Sequence, residues 1–315
     1  MNQMFCECKI DEIKDFRIGH SSDNEAMTGV SVIYFPDGAR VGCDISGGGP
    51  ASRETPLTLP TTADNPVNAI VFSGGSAYGL AASDGVMSCL EANGIGYDTG
   101  VAKVPLVCQS CIFDLGIGSS SIRPDSKMGY DACKAALNGS SSLKGQVGAG
   151  TGATVGKLCG MNQADKSGLG IYSVKAGDFF MAAIVVVNAL GDIFDPANGR
   201  KIAGLKDAEG KNFIDSKEVL YNFMKPRDLF TGNTTIGAVI TNAAFDKAEL
   251  TKIASMTRNA YSRCINPVGT MADGDTIYAA STAKTGSNDN QIKVDINFAG
   301  VLAQEVMEKA IVGIF

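Results

Sequence analysis

The chain has 315 residues, with 27 Lys and Arg against 33 Asp and Glu, a formal net charge of -6, and 44% hydrophobic residues. That length and apolar content suffice to bury a full core, which excludes a disordered chain. An acidic balance without a run of five or six basic residues argues against nucleic acid or an anionic membrane surface as the partner, and leaves small molecules or peptides.

Residues 1–12 mix acids and bases without an apolar stretch, so the expectation is a cytoplasmic protein. Strands are predicted at 30–35, closed by the turn Pro36-Asp37-Gly38, and at 41–45 and 67–72. A Gly-rich corner then opens a helix over 77–91, with Leu80, Val86, Met87 and Leu90 on one face and Asn93-Gly94 as its stop. A second helix follows Pro124-Asp125 and ends at Asn138-Gly139. Strands rich in β-branched and small apolar residues follow at 168–174, 180–187 and 235–241. The apolar run at 179–190 is too short to span a bilayer, which takes about 20 helical residues, and reads as a buried strand. Leu250, Ile253, Ala254, Ala260, Tyr261 and Cys264 recur at helical spacing over 246–264, with Asp246 and Glu249 placed to suit the N-terminal dipole. A strand at 276–281 precedes a last helix capped by Asp295, with Val301, Leu302, Val306 and Met307 on its apolar face. Strands and helices come in blocks within one compact unit, which points to an α+β fold of sheets layered with helices.

Residues 148–157, Gly-Ala-Gly-Thr-Gly-Ala-Thr-Val-Gly-Lys, invite a nucleotide-binding reading and fail it. Three residues instead of four separate Gly152 from Gly156, Leu158 follows Lys157 where a Ser or Thr belongs, and no apolar strand precedes the loop. Lys157 still stands out as a charge among small residues, where desolvation lets a lysine tune a nucleophile or donate to an oxyanion. His20 is the one histidine, so a Ser-His-Asp triad is disfavoured and a thermolysin-like zinc site lacks its ligands. Four of the nine cysteines, Cys6, Cys8, Cys108 and Cys111, offer thiolates, but the two pairs lie far apart in sequence; neither metal nor disulfide is expected.

Asn233-Thr234-Thr235 matches a glycosylation sequon, ordinary entry into a strand, or a peptide bond that cuts itself to free Thr234 as a new N-terminus. The third reading suits a chain short of histidines, because a free α-amine titrates near 8 and serves as base for its own hydroxyl. Asp273-Gly274-Asp275, just before a strand, is either a solvated turn or a carboxylate pair that orients an ammonium and a threonine hydroxyl.

Together with residues 47–55, 73–80, 185–188 and 232–242, these motifs resemble the L-aminopeptidase/D-esterase family, and within it the nylon-oligomer hydrolase branch, over about residues 18–308. The resemblance implies an N-terminal-nucleophile hydrolase with a four-layer αββα sandwich, made as one chain of residues 1–315 and cut into 1–233 and 234–315. Thr234 is then the nucleophile, Asp273 and Asp275 its orienting pair, and Lys157 and Asn188 polar supports. Gly74-Gly75 backbone is a further source of oxyanion donors. The aminopeptidase branch tends to carry Ser and Glu at the two Asp positions and to cut before a Ser, so this chain sides with the nylon-type branch. Phe113 departs from the family, which commonly has a Tyr before the residue matching Asp114. The implied activity is hydrolysis of amide bonds in small peptides or peptide-like amides, without cofactor, by a homo-oligomer. The alternatives are acyl transfer of the ornithine acetyltransferase type, or a small-molecule-binding protein that keeps the fold with weakened turnover.

Overall fold

The computed structural model describes residues 5–222, 232–284 and 291–315. Its main elements are β1 (Arg17–Asp23), β2 (Thr28–Ile45), β3 (Val67–Ser73), α1 (Ala82–Ala92), β4 (Val107–Cys111), α2 (Ser126–Asn138), β5 (Leu169–Ala176), β6 (Phe179–Asn188), β7 (Thr234–Thr241), α3 (Lys247–Cys264), β8 (Thr276–Ser281) and α4 (Ile296–Val312). The strands hydrogen-bond in the order Cys6–Glu7, β5, β6, β7, β8, β2, β3, β4 and Ala51–Arg53, with β1 also on β2.

The expected strands at 30–35 and 41–45 are one strand of 18 residues. Its first half pairs with β1 and β3, and its second half pairs with β8, so a single strand belongs to two sheets. The turn read at Pro36-Asp37-Gly38 is the corner between them: Gly38 takes φ +75°, and the pairing with β3 shifts register between Tyr34 and Ala39. A positive φ is open to glycine at little steric cost, so the chain bends there without reversing.

Strand alternation distributes the side chains into three apolar layers. Ile184, Val186, Ile236, Ala238 and Tyr278 of one sheet face Ile33, Phe35, Ile70 and Phe72 of the other. The opposite face of the first sheet, through Val185, Val187, Val239 and Ile277, packs on Leu250 and Ile253 of α3 and on Val306 and Met307 of α4. Val30, Val32 and Val71 on the far side of the second sheet meet Val86 and Leu90 of α1 and Cys133 of α2. The order helix, sheet, sheet, helix is the αββα sandwich.

The cap expected at Asp295 forms, and Asp246 and Glu249, read from sequence as charges suited to the helix dipole, turn out to form a capping box. Asp246 accepts from the Glu249 amide while Glu249 accepts from the Asp246 amide, a reciprocal box worth about 1 kcal/mol. Asp295 accepts from the Asn297 and Phe298 amides. The helix read over 77–91 starts instead as a 3₁₀ turn, Ser76–Ala81, in which Gly79 lies so close to the Gly74 carbonyl that a Cβ would meet it at 1.9 Å, and becomes α-helical from Ala82. β1 and β4 carry polar residues at internal positions, His20 and Ser21 in one and Gln109 and Ser110 in the other, which hides them from a hydrophobicity pattern. Among the described residues, no helix is long and apolar enough to cross a membrane.

Candidate active site

The end of β6 and the starts of β7 and β8, three central strands, meet at one end of the first sheet, and the chemistry-bearing residues gather there. Asn188, last in β6, pairs with Thr234, first in β7. Asp273 bridges Asn233 in parallel register, and Asp275 immediately precedes β8. Lys157 arrives from the Gly-rich segment, whose Gly156 and Lys157 amides bond to the Gly191 and Leu190 carbonyls just past β6. Thr234, Asp273, Asp275, Lys157 and Asn188 are each at most 5% exposed.

The Thr234 hydroxyl donates to the carbonyl oxygen of Asn233, and that oxygen also accepts the Gly274 amide at 3.0 Å. Lys157 Nζ donates to the Asn188 carbonyl and Oδ1, each at 2.9 Å, and to the Gly232 carbonyl at 3.2 Å. Asn188 Nδ2 in turn donates to the Phe113 carbonyl at 2.9 Å. Asp275 Oδ1 accepts the Thr235 amide at 2.6 Å and its Oδ2 accepts the Gly269 amide at 3.1 Å. Asp273 accepts both the amide and the hydroxyl of Thr270 at 2.7 Å. The carboxylates therefore fix the backbone on either side of Thr234, one through the residue after it and one through the turn that carries Gly274.

Burial governs the electrostatics. Desolvation pushes the Lys157 ammonium down to about 7, against the pull of Asp273, Asp114 and Asp275. The same burial, then the charge of Asp273, raises Asp275 above the usual carboxylate range; Asp273 is raised by burial and restrained by its bonds to Thr270. Asp114 is also raised by burial, with hydrogen bonds from Thr28 Oγ1 at 2.6 Å and the Gly75 amide at 2.7 Å opposing it.

Phe113, Asp114, Lys157, Met161 and Gly232 line a cavity of about 110 Å³. Gly232 has φ +68°, and a Cβ there would sit 2.0 Å from the Phe113 ring, so the ring occupies the space that only glycine leaves. Gly74 and Gly75, offered by sequence as oxyanion donors, have their amides committed to the Gly29 carbonyl at 2.9 Å and to Asp114. The donor aimed at a carbonyl is instead Gly274, which sequence reasoning missed; its one signal was its place between the two aspartates. Thr270 and Gly269 were missed as well, since nothing local marks a residue whose role is to hold a carboxylate.

His20 lies within β1, its Nδ1 2.9 Å from Ser31 Oγ, where a Cβ on Gly148 would meet the ring at 2.7 Å. Burial pushes its pKa down to about 4, and it lies against the Gly-rich segment at Gly148 rather than at Thr234. The Cys108 thiol donates to the Glu54 carbonyl and Cys111 bonds Ser73, while Cys6 is exposed. Among the described residues, no three His, Cys, Asp or Glu side chains group as metal ligands.

Two sheets between helical layers, with the site at the head of a central strand, define the N-terminal-nucleophile hydrolase fold. An L-aminopeptidase D-Ala-esterase/amidase from Ochrobactrum anthropi, described as a variant of that fold, superposes with a TM-score of 0.67 at 15% identity, over 96% of this chain and 84% of its own. A β-aminopeptidase of a Burkholderia species gives a TM-score of 0.64 at 20% identity, over 96% and 85%. The chain belongs to peptidase family S58, whose model matches residues 9–314. It is 36% identical to an uncharacterised aminopeptidase of Mycobacterium tuberculosis over 87% of this chain and 81% of the relative. It is 32% identical to a 6-aminohexanoate-oligomer endohydrolase of Kocuria sp. over 93% and 82%. It is thus an amide-bond hydrolase of the peptidase class.

Proposed function

We propose that the chain cuts itself between Asn233 and Thr234 and that the freed Thr234 hydrolyses amide bonds in small peptides or peptide-like amides. The observation that carries this reading is the Thr234 hydroxyl lying against the Asn233 carbonyl while the Gly274 amide polarises that carbonyl from 3.0 Å. Thr234 Oγ adds to the carbonyl carbon and gives up its proton. The C–N bond breaks, the nitrogen takes a proton, and Asn233 is left as an ester on Thr234. Water then cleaves the ester, which releases the Asn233 carboxylate and restores the Thr234 hydroxyl beside the amine freed in the preceding step.

In the matured protein that amine takes the Oγ proton as Oγ attacks a substrate carbonyl, the leaving amine is protonated, and water releases the acid from the acyl-enzyme. Lys157 and Asn188 are the buried donors next to the nucleophile, placed to support charge on oxygen in a site of low dielectric. The 31 to 36% identity to aminopeptidases and 6-aminohexanoate-oligomer endohydrolases supports an amide substrate.

A denaturing gel with N-terminal sequencing of the purified protein tests the reading. Two fragments are expected, the second beginning Thr-Thr-Ile-Gly. Thr234→Ala stays whole and Thr234→Ser still cuts. A single band from wild type that is folded by circular dichroism sinks the mechanism.

A further inference from the structure

Asp275 is also the floor of a second cavity, of about 280 Å³, whose lining shares no residue with that of Phe113 and Lys157. Exposed Arg258, Asn259 and Ser262 of α3 and Gly269 stand along it, and Tyr261 and Asp275 form its buried end. Two buried hydroxyls have no hydrogen-bond partner among the described residues: Tyr261, in the cavity lining, is 1% exposed, and Thr235, next to the Asp275 carboxylate through its amide, is fully buried. A Cβ on Gly237 would lie 2.6 Å from the Tyr261 oxygen, and Gly237 shares a face of β7 with Thr235, two residues earlier. Thr235 is the residue whose amide Asp275 holds. After burial, the Asp275 carboxylate is the charge that acts most on the Tyr261 hydroxyl. A buried hydroxyl left unpaired destabilises the fold, and a polar cavity of this size has room for a water with several partners.

We infer that Tyr261 is a positioning residue whose hydroxyl reaches the Asp275 carboxylate through one water held in this cavity. The proposal rests on the reading of Asp275 as a support of the nucleophile. The Tyr261 hydroxyl donates to the water, the water donates to Asp275, and the carboxylate keeps its two amides from Thr235 and Gly269. The groups that face Asp275 are Asp273 on its own turn, Lys157 across the nucleophile, Arg258 and Tyr261 from α3, and Asp44 from β2, which pairs with Arg258 at 3.1 Å. Asp273 raises the carboxylate and Lys157 lowers it. A donated hydrogen bond favours the ionised form, so Tyr261 works in the same direction as Lys157.

The test is Tyr261→Phe, which keeps the ring in its apolar layer and removes only the hydroxyl. Self-cleavage followed against pH is expected to show its acid limb moved up by about 0.5–1 unit, with the plateau rate within about threefold of wild type. An unmoved limb overturns the role of Tyr261 while wild-type cutting leaves the Thr234 reading intact. A second measurement does not depend on cutting: urea unfolding of Tyr261→Phe, Asp275→Asn and the double variant, all carrying Thr234→Ala. Coupling between the two positions at pH 8 that shrinks at pH 5 supports the bridge, even in a chain that never cuts. Additive effects at both pH values overturn it.

Discussion

Gly274 and Thr234 stand so close that a Cβ on the glycine would lie 2.8 Å from the threonine hydroxyl oxygen, while the Gly274 amide holds the carbonyl which that hydroxyl faces. One residue thus supplies a donor and the space beside it. Gly274→Ala keeps the donor and fills the space, also meeting the Gly49 carbonyl at 2.9 Å. Self-cleavage is expected to slow by about tenfold or more, with a loss of about 1–3 kcal/mol in stability from overpacking. Time-resolved gels and urea unfolding give the two numbers; cleavage at the wild-type rate means the hydroxyl does not need this position.

The two carboxylates are expected to differ when cut back. Asp275→Asn puts an amide where two backbone N–H groups converge, so only one oxygen remains to accept. Its maturation should fall by a hundredfold or so, about 2.7 kcal/mol. Asp273→Asn keeps an acceptor for Thr270 and should lose less. Rates for both variants, with circular dichroism to show folding, decide it, and equal wild-type-like rates leave the pair as buried turn residues with no part in maturation.

Lys157 gives a prediction in alkaline solution. Held at about 7 against an ordinary 10.5, it has released its proton in the folded chain over a range where the unfolded chain still binds one. Stability from this group therefore rises as pH climbs from 7 to 10.5. In the Thr234→Ala background, the stability gap between Lys157 and Lys157→Met should grow across that window by up to about 4 kcal/mol. Urea midpoints at pH 7, 8.5 and 10 read the gap, and a constant value assigns Lys157 an ordinary titration.

Phe113 lines the smaller cavity with Lys157 and Gly232. Phe113→Tyr adds a donor to that wall and should raise turnover on a small amide; removal of one oxyanion donor elsewhere costs about a hundred- to a thousandfold, which sets the scale of any gain. Steady-state kinetics on N-terminally free dipeptides and amides measure it. Turnover that the new hydroxyl leaves unchanged shows that Lys157 or Asn188 already fills the role.

Local pattern carried most of the main elements, the cap at Asp295, the charges at Asp246 and Glu249 that suit the helix dipole, and the residue types of the site, because hydrophobic period and end chemistry act within a few residues of chain. The family motifs carried the sandwich and set Thr234, Asp273, Asp275, Lys157 and Asn188 side by side. What the amino-acid order could not show is which partner each group takes. Gly38 reads as a turn whether the chain reverses or bends, and only pairing with both β3 and β8 makes it the corner between two sheets. Gly75 reads as a free amide until Asp114, 39 residues later in sequence, accepts from it. Gly274 reads as a spacer until strand register sets its amide on the Asn233 carbonyl. Hydrogen bonds and desolvation depend on distance in space, so the donor at the junction, the committed amides and the lowered lysine were decided by tertiary structure alone.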